Sequence, residues 1–152
     1  PPLRQQADRE ALSQALKDGV IDALVSDHTP VKDDAKALPF AEAEPGATGL
    51  ELLLGLACKW GQAQGLSLVQ TLACVSSGPA RVLGSALGSL QGSCGQLRPG
   101  VVADLCIFDA GASWSVERGA LRSRSHHTPF EGHAMDTRVR WTLVDGRIAY
   151  EA

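Results

Sequence analysis

The sequence has no CxxC pair, and no histidine lies near its four cysteines at zinc-finger spacing, which excludes a structural zinc knuckle or ribbon. It has no apolar run approaching the ~20 residues of a membrane span, so no membrane partner is expected. It lacks a basic stripe: the net charge is -3 and the lysines and arginines are scattered, which argues against nucleic acid as a partner. The opening PPLRQQADRE is neither a secretory leader nor a transit sequence. Cys58, Cys74, Cys94 and Cys106 are therefore expected as buried, reduced thiols of a cytoplasmic protein. No internal repeat is visible.

What is present describes an ordinary globular chain. With 152 residues, 44% hydrophobic and 20% charged, it has enough apolar material for one domain with a real core. Asp8 is placed to cap a helix whose apolar face is Ala11, Leu12, Ala15 and Leu16, with Gly19 as its C-terminal glycine. VIDALV (20–25) reads as a short buried strand. Residues 26–47 carry no periodicity and hold Pro30, Pro39, Pro45 and Gly46, so a long loop follows, of the kind that is often functional. TGLE (48–51) reads as a capping box ahead of the stripe Leu50, Leu53, Leu54, Ala57 and Cys58. SLVQ (67–70) reads as a second box, for a helix through Val69, Leu72 and Ala73 that stops at Gly78-Pro79, with one short turn beyond.

Near residue 85 the character changes. SALGSLQGSCGQL is a connector by composition. Beyond it, VADLCIFD (102–109), SWSV (113–116), RVRWTLV (138–144) and RIAY carry strand signals, the last two joined by Asp145-Gly146, a strong hairpin signal. The fold class is α/β in residues 1–84 and antiparallel β in residues 85–152.

Few residues could do chemistry. Asp27 and His28 fall at the C-terminal end of the apolar run, where α/β folds build their sites. A carboxylate there can ligate a metal or serve as a general base. The plainer reading of the same pair is a loop cap, with His28 bonded to backbone. His126 and His127 are neighbours and cannot both face one ion from a regular strand, so with His133 they read as loop histidines. Asp33, Asp34, Glu42 and Glu44 read as solvated loop charges, and Cys106 as core.

PPLR at 1–4, the DG, ID, L, SDH and P positions across 18–30, KxxPF at 36–40 and EPGxxGLE at 44–51 together resemble the dihydroorotases of the amidohydrolase superfamily. GxLxPGxxADLxIFD (95–109), HTPFEG (127–132) and VDGRI (144–148) resemble the same family's closing strands. Hydantoinases and allantoinases share the barrel, but the SDH loop with PGxxGLE favours dihydroorotase.

The resemblance implies a zinc enzyme on a (β/α)8 barrel that reversibly hydrolyses the cyclic amide of dihydroorotate. Asp27 matches the aspartate after the last barrel strand, metal ligand and general base. Pro45 and Gly46 match backbone that contacts the substrate. Two departures stand out. Val31 occupies the position of the second histidine of SDHAPH, and loss of that polar contact should cost on the order of 1.5–3 kcal/mol. The HxHxR strand, the bridging lysine and the other metal histidines are not in these residues.

The chain therefore reads as the C-terminal portion of such a barrel, followed by strands of the small β domain. It is expected to bind no zinc and to be inactive alone. One uncovered strand needs a partner, which points to a homo-oligomer or to the missing part of the protein. The resemblance also admits a noncatalytic homologue that supports aspartate transcarbamoylase.

Overall fold

The computed structural model describes residues 4–152, so Pro1, Pro2 and Leu3 of the PPLR motif lie outside the described residues. Helix α1 spans Gln6–Lys17. Asp8 is not its N-cap but its third helical residue, and its carboxylate accepts a hydrogen bond from the Gln5 N–H at 3.0 Å. The reach from the third position back to the cap is one half of a capping box, so the helix starts three residues earlier than an aspartate cap requires. Ala15 and Leu16 are half-buried, and the Trp60 indole N–H donates to Ser13 Oγ at 2.9 Å, tying α1 to the helix that carries Trp60. Gly19 ends the segment at φ +71°.

Residues 20–25 form no strand, contrary to the expectation from their composition: the chain bends at Val20 and Ile21 and then carries no regular structure. A strand exists through its ladder, and no neighbouring strand lies beside this run among the described residues. The Val20 and Ile21 N–H groups donate back to the Ala15 carbonyl at 2.9 and 3.1 Å, and the Leu24 N–H donates to the Cys74 carbonyl at 2.8 Å, while Val20 and Val25 stay about three-quarters exposed.

The long loop is interrupted by one helical turn, α2 (Asp33–Lys36), and closes on a 3-10 turn, Leu50–Leu52, that runs into α3 (Leu53–Ala63). Helix α4 (Leu68–Ala73) carries the expected box: Ser67 Oγ accepts from the Gln70 N–H, and Gln70 Oε1 accepts from the Ser67 N–H at 2.9 Å. Gly78-Pro79 does not stop a helix. It lies in the first turn of α5 (Ser77–Leu83), where a missing proline N–H costs no intrahelical bond. The glycine-rich connector is not featureless either: Gly84–Gly92 forms 3-10 turns, broken at Gly88, whose φ is +55°.

The second half is antiparallel. β1 (Leu105–Asp109) pairs with β4 (Arg138–Val144), and β4 with β5 (Arg147–Glu151), in the order β1-β4-β5. β2 (Trp114–Ser115) pairs with β3 (Ala134–Met135). Asp145 and Gly146 both have positive φ, +50° and +72°, as the two-residue hairpin between β4 and β5 demands. No residue of β1, β4 or β5 is fully buried, which corrects the placement of Cys106: it is exposed. Strand periodicity reports the pleat, not whether a second layer covers it. Partial desolvation still raises the Cys106 thiol pKa. Cys58, Cys74 and Cys94 are half-buried free thiols rather than fully buried ones.

The core gathers Leu52, Val116, Leu121 and Met135, with Leu56, Trp114 and Phe130 packed around it. It joins the start of α3 to the β2–β3 pair, so helices and strands from both halves of the chain share one apolar centre.

At the end of β1, Asp109 accepts from the Gly111 N–H at 2.9 Å and from Arg140 on β4 at 3.2 Å. These contacts, the backbone bond first, hold its carboxyl below the ordinary carboxylate range. A lowered folded pKa means that the unfolded chain takes up the proton first as pH falls. The contribution is therefore complete above the unfolded value of about 3.9, and is lost as pH falls through the lower folded one. Asp109→Asn should be less stable than the parent at pH 7 and converge on it in acid. Denaturant titrations across that range check this, and a difference independent of pH would contradict it.

Candidate functional site

Asp27 follows the apolar run 20–25 with φ +44°, one of two non-glycine residues in the left-handed region among those described. Aspartate visits that region more readily than most residues, but at a cost that neighbouring structure must offset. Its carboxylate is exposed, and its carbonyl accepts from the Thr29 hydroxyl at 3.3 Å.

The next two residues are held against the far end of the loop. His28 Nδ1 accepts from the Gly49 and Leu50 N–H groups, each at 3.2 Å. The Thr29 N–H donates to the Ala47 carbonyl at 3.0 Å. The plainer reading of His28, a side chain bonded to backbone, is what the geometry gives. Gly46 completes the contact: at φ +135°, an added Cβ would lie 2.6 Å from the Thr29 carbonyl oxygen and 2.8 Å from Val31 Cγ2. The two ends of a loop of some twenty residues are thus brought together, Asp27 on one side and Pro45-Gly46 on the other, with Pro45 exposed. Val31, at the expected substrate-histidine position, is 6% exposed and packs inward against Gly46.

The loop's far end is fastened to the C-terminal half, and here the expected capping box fails. Thr48 is fully buried; its N–H donates to the His127 carbonyl at 2.7 Å and its hydroxyl to the Ser125 carbonyl at 2.9 Å. Glu51 does not reach back to Thr48. Its carboxylate accepts from the Arg122 N–H, the Ser123 N–H and the Ser123 hydroxyl, all at 2.8 Å. Ser125 in turn donates its hydroxyl to the Val31 carbonyl at 2.6 Å. The sequence pairs Thr48 with Glu51 in a local box and does not single out Ser125, because the true partners are remote: the Ser125–Val31 pair is 94 positions apart. No local spacing announces such a bond.

The remaining histidines do not join Asp27. His133 is exposed and stands edge-on to Phe130, centroids 5.6 Å apart; His127 contributes its carbonyl to Thr48. Asp33, Asp34, Glu42 and Glu44 are exposed, as expected of solvated loop charges. Among the described residues no three histidine, cysteine, aspartate or glutamate side chains gather as a metal would need. A catalytic zinc takes three protein ligands and keeps one position open. Asp27 offers one donor, so these residues do not fit a complete zinc site. The site is a single exposed carboxylate on a braced backbone, beside a loop edge that only glycine can occupy.

Residues 3–149 match the model of the amidohydrolase family, and the chain belongs to that family. Within it, the chain is similar to a dihydroorotase-like protein of Pseudomonas aeruginosa, at 45% identity over 99% of this chain and 34% of the relative. It is also similar to a dihydroorotase of Citrifermentans bemidjiense, at 39% identity over 100% of this chain and 34% of the relative. Among solved structures it resembles D-hydantoinase from a Bacillus sp. AR9, with a TM-score of 0.86 and 27% identity over 99% of this chain and 33% of that one. The chain thus spans about a third of the length of the curated relatives it matches. These relatives bear out the resemblance drawn from the sequence motifs, and the fold is that of part of an amidohydrolase. No helix of the described residues is long and apolar enough to cross a membrane.

Proposed function

We propose that this chain supplies the last strand end and substrate loop of a dihydroorotase-type cyclic amidohydrolase, which opens the ring amide of dihydroorotate to carbamoyl aspartate in cytoplasmic pyrimidine biosynthesis. Residues 1–84 would be the closing part of the barrel, and residues 85–152 strands of the small β domain. The observation that carries the reading is Asp27: an exposed carboxylate, on strained backbone, at the mouth of a loop whose two ends are braced together. Strained residues of this kind cluster at functional sites.

In the reaction, Asp27 takes a proton from the attacking water as its oxygen bonds to the amide carbon. The same proton then passes to the ring nitrogen as the carbon–nitrogen bond breaks. The backbone of Pro45 and Gly46 lies against the ring, and Gly46 keeps its φ of +135° and its close packing on Thr29 and Val31 because it has no Cβ. Asp27 would be one ligand of a zinc ion whose other ligands come from outside these 152 residues.

The test is zinc content together with dihydroorotate, hydantoin and allantoin hydrolysis by a longer protein containing this chain. Stoichiometric zinc with selective dihydroorotate turnover is the expected result; turnover of hydantoin alone would make it a hydantoinase. The 152-residue chain by itself should hydrolyse none of them. Turnover by that chain, abolished in Asp27→Ala, would overturn this part of the reading.

Val31 favours one alternative, a noncatalytic homologue that supports aspartate transcarbamoylase as a scaffold. A buried aliphatic side chain cannot bind a substrate carboxylate, and the Pseudomonas aeruginosa relative is named dihydroorotase-like. A longer protein without zinc or turnover that co-purifies with aspartate transcarbamoylase would establish it. Self-association of the 152-residue chain through residues 20–25 would show as a dimer by sedimentation.

A further inference from the structure

We propose that His28 is a positioning residue for Asp27: its imidazole, by accepting from two backbone N–H groups across the loop, holds the turn in which Asp27 takes its left-handed conformation. The inference rests on the reading of Asp27 as the reactive carboxylate.

Three observations converge. The Gly49 and Leu50 N–H groups stand where the chain turns into the 3-10 turn and α3, and the first donors of a helix have no acceptor within it. His28 Nδ1 serves both, at 3.2 Å each, so that nitrogen carries the lone pair and Nε2 the proton. Beside it, the Thr29 N–H donates to the Ala47 carbonyl, so residues 28 and 29 are fixed to one short stretch by a side chain and a backbone group. Asp27 immediately precedes this double tie, with φ +44°.

A non-glycine residue persists in that region only when its surroundings determine it. The surroundings here are firm. Thr48 is bound to Ser125 and His127, and Glu51 to Arg122 and Ser123, so the donors that hold His28 sit on backbone anchored to the C-terminal half. Contact therefore runs from residues 122–127 through Gly49 and Leu50 to His28, and from there to the backbone of Asp27.

The rival role for His28 is a helix cap with no influence on Asp27. Amide exchange at Gly49 and Leu50 and the φ-dependent HN–Hα coupling of Asp27 separate the two, measured by NMR on the 152-residue chain. Asparagine places Oδ1 near the position of Nδ1 and keeps the acceptor; alanine removes it. In His28→Ala the two amides should exchange about tenfold faster, as expected for a lost hydrogen bond. In the same variant the Asp27 coupling should move toward that of extended backbone. His28→Asn should restore both.

Faster exchange with an unchanged Asp27 coupling would leave His28 a cap and overturn the proposal. A second measurement does not depend on any variant folding: in the unaltered chain the Gly49 and Leu50 amides should each show a coupling through the hydrogen bond to His28 Nδ1, and its absence from both would overturn the proposal. In the longer protein, His28→Ala should lower kcat about tenfold and leave KM within about twofold, with rescue by His28→Asn. If that protein has no turnover at all, the proposed reaction fails while the coupling result still decides the role of His28.

Discussion

Asp27→Asn should lower hydrolysis of the cyclic amide by about a thousandfold in a longer protein containing this chain, with KM changed by less than about tenfold. The size follows from the role: a positioned general base contributes some 10²–10⁴-fold to a rate, and asparagine cannot accept the water proton at neutral pH. The substitution is chosen because it leaves the backbone alone. Asparagine tolerates positive φ as well as aspartate does, and an exposed side chain with no ion pair among those described makes a stability change beyond about 0.5 kcal/mol unexpected. Steady-state kinetics beside a thermal melt check it. A variant with near-normal kcat would assign the base elsewhere and remove the main support for Asp27. Asp27→Ala is a poorer probe, because alanine at φ +44° adds backbone strain to the loss of the carboxylate.

Where bonds close within a few residues, the sequence was a good guide. Ser67 and Gln70 satisfy each other three positions apart, and Asp145-Gly146 turns the β4–β5 hairpin through its own two positive φ angles. Local chemistry decides both. Thr48 and Glu51 show the limit of that logic. They have the residue types and spacing of a capping box, yet each has a partner more than seventy positions away that it binds instead. Glu51 meets three donors on residues 122–123, which one N-terminal N–H cannot match. The cap it leaves open is filled by His28, from another part of the loop.

The run at 20–25 illustrates a different limit. Its composition is that of a buried strand, but a strand's hydrogen bonds belong to its neighbours, and none of the described residues supplies one. Cys106 illustrates a third, since alternation along β1 cannot say which face of the sheet is covered. For the candidate site the sequence offers residues and no geometry. Asp27, Pro45 and Gly46 rest on family resemblance alone; His28 was readable as a backbone-bonded histidine, whereas its partners Gly49 and Leu50 and the Thr29–Ala47 bond are set by the path of the loop.

Gly61→Ala should destabilise the fold by about 2–4 kcal/mol, although alanine is the better helix former by about 1 kcal/mol. Gly61 is buried in α3 where that helix crosses α4. A Cβ there would fall 1.9 Å from Thr71 Oγ1, 2.7 Å from its Cγ2 and 2.9 Å from its Cβ. Thr71 is 2% exposed and its hydroxyl donates to the Ser67 carbonyl at 3.0 Å, so it cannot simply swing aside. Rotation would leave a buried hydroxyl without a partner, at about 1–3 kcal/mol; separation of the helices would cost a similar amount in lost packing. Urea titration should show the loss as a lower midpoint with an unchanged slope, and a thermal melt as a fall of roughly 5–15 °C for a chain of this size. Thr71→Ala identifies the cause. It removes the two side-chain atoms other than Cβ from the clash, so the double variant should recover at least about 1 kcal/mol relative to the sum of the single changes. Strict additivity would mean that α3 and α4 do not meet at Gly61 and Thr71 as described. Because Cys74, whose carbonyl accepts from the Leu24 N–H, directly follows α4, loosening this contact should also reach the run that leads to Asp27.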